Sequence, residues 1–202
     1  MASLAETTGS SLTDSSLAEA SIGDRALILG ELERAVTAMS GTEMAAAAEE
    51  ILAARRVFVI GAGRSGLALK MAAMRLMHLG LTVHVAGEVT TPAIAAGDLL
   101  IAASGSGSTA GVVQAAKVAA RTGARVLAIT AAPASMLGGM ADAVLTIPAA
   151  MKQEHGGAIS AQYAGALFEQ SLLVAMDAIF QGLWRQRGES AEELWTRHAN
   201  LE

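Results

Sequence analysis

Apolar residues fall into short unbroken runs separated by longer stretches of helical spacing, and this alternation repeats down most of the chain. Arg56-Val57-Phe58-Val59-Ile60 opens the series, followed by Leu81 to Ala86, Leu99 to Ala103, Arg125 to Thr130 and Ala143 to Pro148. Runs that are apolar at nearly every position predict strands covered on both faces, and strands alternating with helices predict a parallel sheet. The expected fold class is α/β, a five-stranded parallel sheet with helices on both faces. A Met-rich helix is predicted up to Gly80, and another over Ala110 to Thr122, where Lys117 and Arg121 suit the C-terminal end of the dipole. Thr91-Pro92 predicts a short helix with Thr as N-cap and Pro at the first position. Met151 to Gly157 reads as a loop and Ser160 to Trp184 as one helix, nearly 40 Å long at about 1.5 Å per residue. Its apolar residues, Leu167, Phe168, Leu172, Leu173, Met176, Ile179 and Phe180, run almost all round. A helix of that kind is buried on several sides, so an oligomer is expected.

The two ends of the chain read differently. Residues 1–21 are rich in Ser, Ala and Thr, which predicts a disordered or loosely ordered tail ahead of a single domain over residues 22–202. From Asp24, Leu29, Leu32, Val36 and Met39 fall at helical spacing. Ser40-Gly41-Thr42-Glu43 has the form of a capping box and starts a second helix through Glu49-Glu50-Ile51; Ser190-Ala191-Glu192-Glu193 repeats that form near the C-terminus.

Composition narrows the function classes. Hydrophobic residues make up 52% of the 202, yet aromatics only 3%, so the core is extensive and packed from small side chains. A net charge of −5 with no basic cluster argues against a nucleic-acid surface. No cysteine is present, which excludes disulfides and thiolate chemistry. The longest uncharged stretch, Leu99 to Lys117, is interrupted by glycines and hydroxyls, which argues against a membrane span. No signal peptide is legible, and a cytoplasmic location is expected. No His/Asp/Glu spacing resembles a metal site, so a metal-independent mechanism is expected.

Two glycine-rich loops carry the candidate chemistry. Ser104-Gly105-Ser106-Gly107-Ser108-Thr109 lies between a buried strand and a helix start. Small residues admit a ligand close to the backbone, and a helix N-terminus offers unpaired N–H groups and partial positive charge, the makings of a phosphate site. Gly61-Ala62-Gly63-Arg64-Ser65-Gly66 follows the first strand and matches G-x-G-x-x-G; with Glu88 near the ribose-binding position it would, alone, suggest a dinucleotide. In a flavodoxin-like strand order, 2-1-3-4-5, the two loops wall one crevice at the topological switch point. The second loop's hydroxyls favour a phosphorylated ligand smaller than a dinucleotide, with Ser65 adding a hydroxyl and Arg64 a charge.

Acid–base candidates are fewer. Glu169 sits among Leu167, Phe168, Leu172 and Leu173, where an ionised carboxylate is costly unless paired; periodicity alone puts it on the helix's wet edge. Asp177 raises the same question with no motif beside it. His198 lies near the chain end in the company of Trp195 and Leu201, apolar anchors that a solvated tail does not need. His155, beside Glu154, is a weaker candidate, and His78 and His84 read as structural.

With these residues in view, the chain resembles the SIS (sugar isomerase) family of phosphosugar-binding domains from about Asp24 onward. The resemblance is carried by Gly61–Gly66, Thr90-Thr91-Pro92-Ala93-Ile94, Ser104–Thr109, Gly165-Ala166-Leu167-Phe168-Glu169 and the terminal Arg197-His198-Ala199-Asn200-Leu201-Glu202. It implies interconversion of D-arabino-hex-3-ulose 6-phosphate and D-fructose 6-phosphate through an enediol, without a cofactor, as in formaldehyde fixation by the ribulose monophosphate route. It also implies phosphate binding by Ser65, Ser104, Ser106, Ser108 and Thr109, with Gly61, Gly63 and Arg64 in the substrate-binding loop. Glu169 corresponds to the base, and His198 to a histidine delivered by a neighbouring subunit of a homotetramer. A functional link to the synthase that forms the hexulose phosphate follows from the pathway; no nucleic acid or membrane partner does. Gly105 departs from the Gln of many relatives. Three alternatives stand beside this reading: an isomerase of sedoheptulose 7-phosphate or arabinose 5-phosphate, a non-catalytic phosphosugar sensor, and a nicotinamide-dependent oxidoreductase.

Overall fold

The computed structural model describes residues 14–149 and 160–201. Its five strands are β1 (Val57–Gly61), β2 (Val83–Val85), β3 (Leu99–Ala103), β4 (Arg125–Thr130) and β5 (Ala143–Thr146). All pairings are parallel and the order is β2-β1-β3-β4-β5. The helices are α1 (Asp14–Thr37), α2 (Gly41–Ala53), α3 (Gly63–His78), α4 (Ala110–Arg121), α5 (Ala166–Arg187) and α6 (Ala191–Trp195).

Strand alternation sorts the core into two layers. Val57, Val59, Leu99, Ile101, Leu127 and Ile129 face a layer completed by α2, α3 and α5, while Phe58, Leu100, Ala102, Val126 and Ala128 face α4. Each strand is thus buried on both sides, which is why its sequence reads as a continuous apolar run rather than an alternating one. Beneath the sheet, Asp98 clasps the start of β1 to the start of β3. Its buried carboxylate accepts from Arg56 Nη2 at 2.6 Å, Arg55 Nε at 3.2 Å and Ala95 N at 2.9 Å. The Arg56 hydrogen bond dominates burial and holds the Asp98 carboxyl below its ordinary range.

Four expectations are corrected. The first helix begins at Asp14 rather than near Asp24; Leu17 and Glu19 to Ala20 are strong helix formers despite the polar company. Residues 1–13 lie outside the described residues, as does the loop expected over Met151 to Gly157, with His155. Leu29 is exposed, and α1 buries Glu31 and Ala35 instead. Thr91-Pro92 opens no helix, because Thr91 Oγ1 donates back to Val85 O at 2.6 Å rather than capping forward. The long helix starts at Ala166, not Ser160. Ala164 adopts a left-handed φ of 52°, which a helix cannot propagate through, and residues 160–162 are tied to α1. There Glu31, itself buried, accepts from Ser160 Oγ (2.6 Å), Ala161 N (2.8 Å) and Gln162 Nε2 (3.0 Å).

Both capping sequences act as N-caps. Ser190 and Glu193 form the full reciprocal box. Ser40 Oγ accepts from Glu43 N, but the Glu43 carboxylate reaches across to Thr146 N at 2.7 Å, occupying a donor on the edge strand β5. Helix α5 is long and apolar enough to cross a membrane by length and composition alone. Its Leu167, Phe168, Leu172, Met176, Ile179 and Leu183 are instead buried against the sheet layer and α3.

Candidate active site

The crevice lies where β1 and β3, adjacent and parallel, hand over to α3 and α4. After β1 the chain turns so tightly that a β-carbon on Gly61 would stand 2.8 Å from Gly66 N, and one on Gly66 would stand 2.5 Å from Gly61 O. Gly63 takes a left-handed φ of 57°. These glycines are explained by the turn itself. Glu88, the ribose-site candidate, is engaged by Lys70 Nζ at 2.6 Å.

The hydroxyl loop after β3 is internally bonded. Ser104 Oγ pairs with Thr109 Oγ1 at 2.8 Å, and Ser106 Oγ with Ser108 Oγ at 2.9 Å. Thr109 is the N-cap of α4 but makes no side-chain cap bond, since its hydroxyl is turned to Ser104. Ala62, the N-cap of α3, has no hydroxyl to give. Two neighbouring helices therefore present first turns without side-chain caps to one crevice, an arrangement suited to an anion. Ser65 sits in the first turn of α3, buried, and Ser104 is buried at the strand end, while Ser106, Ser108 and Thr109 are more open. A β-carbon on Gly105 would touch the Phe168 ring at 3.4 Å, so a longer side chain there would lie across Phe168.

Glu169 enters the same region from the first turn of α5. It is only 7% exposed, against the wet-edge reading, and its Oε2 lies 2.6 Å from Arg64 Nε. A guanidinium in the first turn of α3 opposes that helix's dipole, and the carboxylate of Glu169 offsets it. Sequence periodicity could not have supplied this pairing, because the partners stand on different helices. Asp177, on the same helix, is exposed.

His198 is not brought to this crevice within one chain. Its ring stacks between Trp195 (centroids 4.6 Å apart) and His78 (5.0 Å). Arg197 fixes the segment by donating to His78 O at 2.9 Å and Glu189 Oε2 at 2.6 Å. His78 is the last residue of α3 and Arg64 the second, so the two groups lie about 20 Å apart along a helix rising 1.5 Å per residue. The stack borders a cavity of about 430 Å³ shared with Arg75, Asp177 and Trp184. Burial, then the charges of His198 and Arg75, hold His78 below the ordinary histidine range. His84 packs its ring against Phe58. Among the described residues, no three His, Cys, Asp or Glu side chains form a group that could hold a metal ion.

Thr130 and Ser135, under the hydroxyl loop, were not legible as site residues: a β-branched residue ending a strand carries no distinguishing signal.

Residues 50–175 match the SIS domain family. The chain is 58% identical over 176 residues to a 3-hexulose-6-phosphate isomerase of Mycobacterium gastri, covering 87% of this chain and 88% of that protein. It is 41% identical to the Bacillus subtilis protein of the same name, over 87% and 95%. A solved Methanococcus jannaschii structure, described as inferring a molecular function of 3-hexulose-6-phosphate isomerase, superposes with a TM-score of 0.77 at 26% identity, covering 89% of this chain and 99% of that one. The chain belongs to the SIS domain family.

Proposed function

We propose that this protein is a 6-phospho-3-hexuloisomerase, converting D-arabino-hex-3-ulose 6-phosphate and D-fructose 6-phosphate into one another without a cofactor. The observation that carries the reading is the meeting of a hydroxyl loop at two uncapped helix starts with a buried carboxylate, Glu169, held by Arg64. An anion cradle and a carboxylate base in one crevice are what an enediol isomerisation of a sugar phosphate requires. The 58% identity to a protein named for this reaction supports it.

Ser104, Ser106, Ser108, Thr109 and Ser65 bind the phosphate, with the free amides of α3 and α4. Glu169 takes the proton from C2 of the 3-ketose and returns it to C3, while the hydroxyl proton passes between the two oxygens. Arg64 holds the carboxylate in place and offsets negative charge on the enediolate. His198 assists ring opening or proton transfer from a neighbouring subunit, since its own chain's crevice lies at the other end of α3. Exposed Leu67, Met71 and Met74 on α3 support a homo-oligomer, read here as a tetramer. The protein works in the cytoplasm, downstream of the synthase that forms the hexulose phosphate.

The test is an assay of fructose 6-phosphate formation from enzymatically generated hexulose 6-phosphate, beside sedoheptulose 7-phosphate and arabinose 5-phosphate. Turnover of the hexulose phosphate is expected. Turnover of one of the others alone, or binding without turnover, would replace this reading with the sister isomerase or the sensor.

A further inference from the structure

The hydroxyl loop is held from beneath by the chain that leaves β4, through backbone amides and one side chain. Gly105 O accepts two hydrogen bonds, from Ala131 N at 3.0 Å and from Thr130 Oγ1 at 3.2 Å. Gly107 O accepts from Leu137 N at 3.0 Å. Both carbonyls are thereby turned inward. In a planar trans peptide the C=O and the following N–H point in opposite directions. Pinning the carbonyl of Gly105 therefore aims the amide of Ser106 away from β4, the side on which an anion would approach, while the Ser108 amide is donated to Ser106 Oγ at 3.3 Å.

Thr130 is fully buried, at 0% exposure, and its hydroxyl is used twice. While Oγ1 donates to Gly105 O, it accepts from Ala132 N at 3.1 Å. One hydroxyl thus ties two loops together at the strand end, beside the backbone bond from Ala131 N to Gly105 O. The fit around it is close. A β-carbon on Gly107 would stand 3.2 Å from Thr130 Oγ1 and 1.8 Å from Ser135 Oγ, so the loop rests directly on these two hydroxyls.

We propose that Thr130 is a positioning residue for phosphate binding: its hydroxyl sets the orientation of the Gly105–Ser106 peptide and so aims the Ser106 amide at the substrate's phosphate. The inference rests on the reading of Ser104–Thr109 as the phosphate site. Valine fills the same volume without the hydroxyl, leaving Ala132 N unpaired and Gly105 O with one bond.

The test measures kcat, KM for the hexulose phosphate, and the inhibition constant of inorganic phosphate, in Thr130→Val and Thr130→Ser. Thr130→Val is expected to raise KM and the phosphate constant together by about 10-fold, leaving kcat within about 2-fold. Thr130→Ser should restore both. A Thr130→Val protein with lowered Tm but unchanged KM and phosphate affinity would overturn the inference and make the hydroxyl purely structural. Should valine prevent folding, Thr130→Cys, a weaker donor of similar size, is expected to fall between serine and wild type on one side and tenfold loss on the other; parity with wild type overturns the proposal. Ser104→Ala and Ser106→Ala separate the two claims. If phosphate affinity survives in both, the phosphate-site reading fails as well; if it falls in both but not in the Thr130 variants, only the role of Thr130 is lost.

Discussion

Arg64 Nε stands 2.6 Å from Glu169 Oε2, joining the first turn of α3 to the first turn of α5. The arginine is largely open to solvent while the carboxylate is buried. The more open group of the pair is therefore the cation, which an entering anionic substrate meets first on its way to the carboxylate. Through it, the loop after β1 and the helix after β5 act on one another across the crevice.

Glu169→Gln tests the base. The amide is isosteric and still hydrogen-bonds, so substrate binding is expected to persist while proton abstraction is lost. The kcat should fall by about 10³-fold, within the range of general base contributions, with KM changed by less than about 3-fold. Steady-state kinetics on the hexulose phosphate checks it, and near-normal kcat would remove Glu169 from the chemistry.

Gly107→Ala tests whether the shape of the hydroxyl loop matters for the proposed phosphate binding. Gly107 holds a left-handed φ of 60°, and a β-carbon there would collide with Ser135 Oγ. The backbone conformation alone costs alanine about 1–2 kcal/mol, and relieving the collision must shift the loop. Lower Tm together with weaker inhibition by inorganic phosphate is expected; a lower Tm with intact phosphate inhibition would show that the loop's shape does not matter for the anion.

Much of the fold was legible because burial on both faces writes itself into the strands. Phe58 faces α4 while Val57 and Val59 face α3, and the run reads apolar throughout. The hydroxyl loop was legible as a strand-to-helix turn because its run of Gly and Ser lies between an apolar run and a helical pattern. What escaped depends on partners distant in sequence. Glu169 looked exposed by periodicity because the chain nearby contains no hint of Arg64. Thr91 resembled an N-cap until its hydroxyl was spent on Val85 O. The helix was extended back to Ser160 because Ala, unlike Gly, gives no warning of a left-handed turn at Ala164.

Acid sensitivity follows from Asp98, Glu31 and His78. Hydrogen bonding from Arg56 lowers Asp98. At Glu31, burial raises the carboxyl, but bonds from Ser160, Ala161 and Gln162 with the charge of Arg34 together outweigh it and lower it. Each carboxylate contributes stability that is present above its unfolded value and lost as pH falls through the folded one. The loss from this pair therefore begins below about pH 4.5. His78, held neutral by burial, works higher: the unfolded chain gains its proton first, so stability declines as pH falls below about 6.5. Asp98→Asn is expected to lower stability at neutral pH by removing the charge that Arg55 and Arg56 pair with, and to flatten the acid limb. Urea unfolding between pH 3 and 8 checks both, and an unchanged acid limb would assign it to other groups.

The terminal segment offers a test of action between subunits. Deleting residues from Arg197 onward removes His198 and the Arg197 bonds to Glu189 and His78, but leaves the buried Leu194 of α6 in place. The shortened chain is expected to fold and to lose about 10²-fold in kcat/KM; unchanged kcat/KM would make the tail passive. If His198 serves a neighbouring crevice, the defect is complementable. Chains carrying Glu169→Gln keep an intact tail, and shortened chains keep an intact Glu169. Unfolded together and refolded, they should assemble mixed oligomers in which about a quarter of the sites combine the intact half of each. Activity reappearing only in the mixture is the signature of a shared site. If the mixture stays as inactive as its parents, while mixed oligomers are verified by mass, His198 acts within its own chain or not at all.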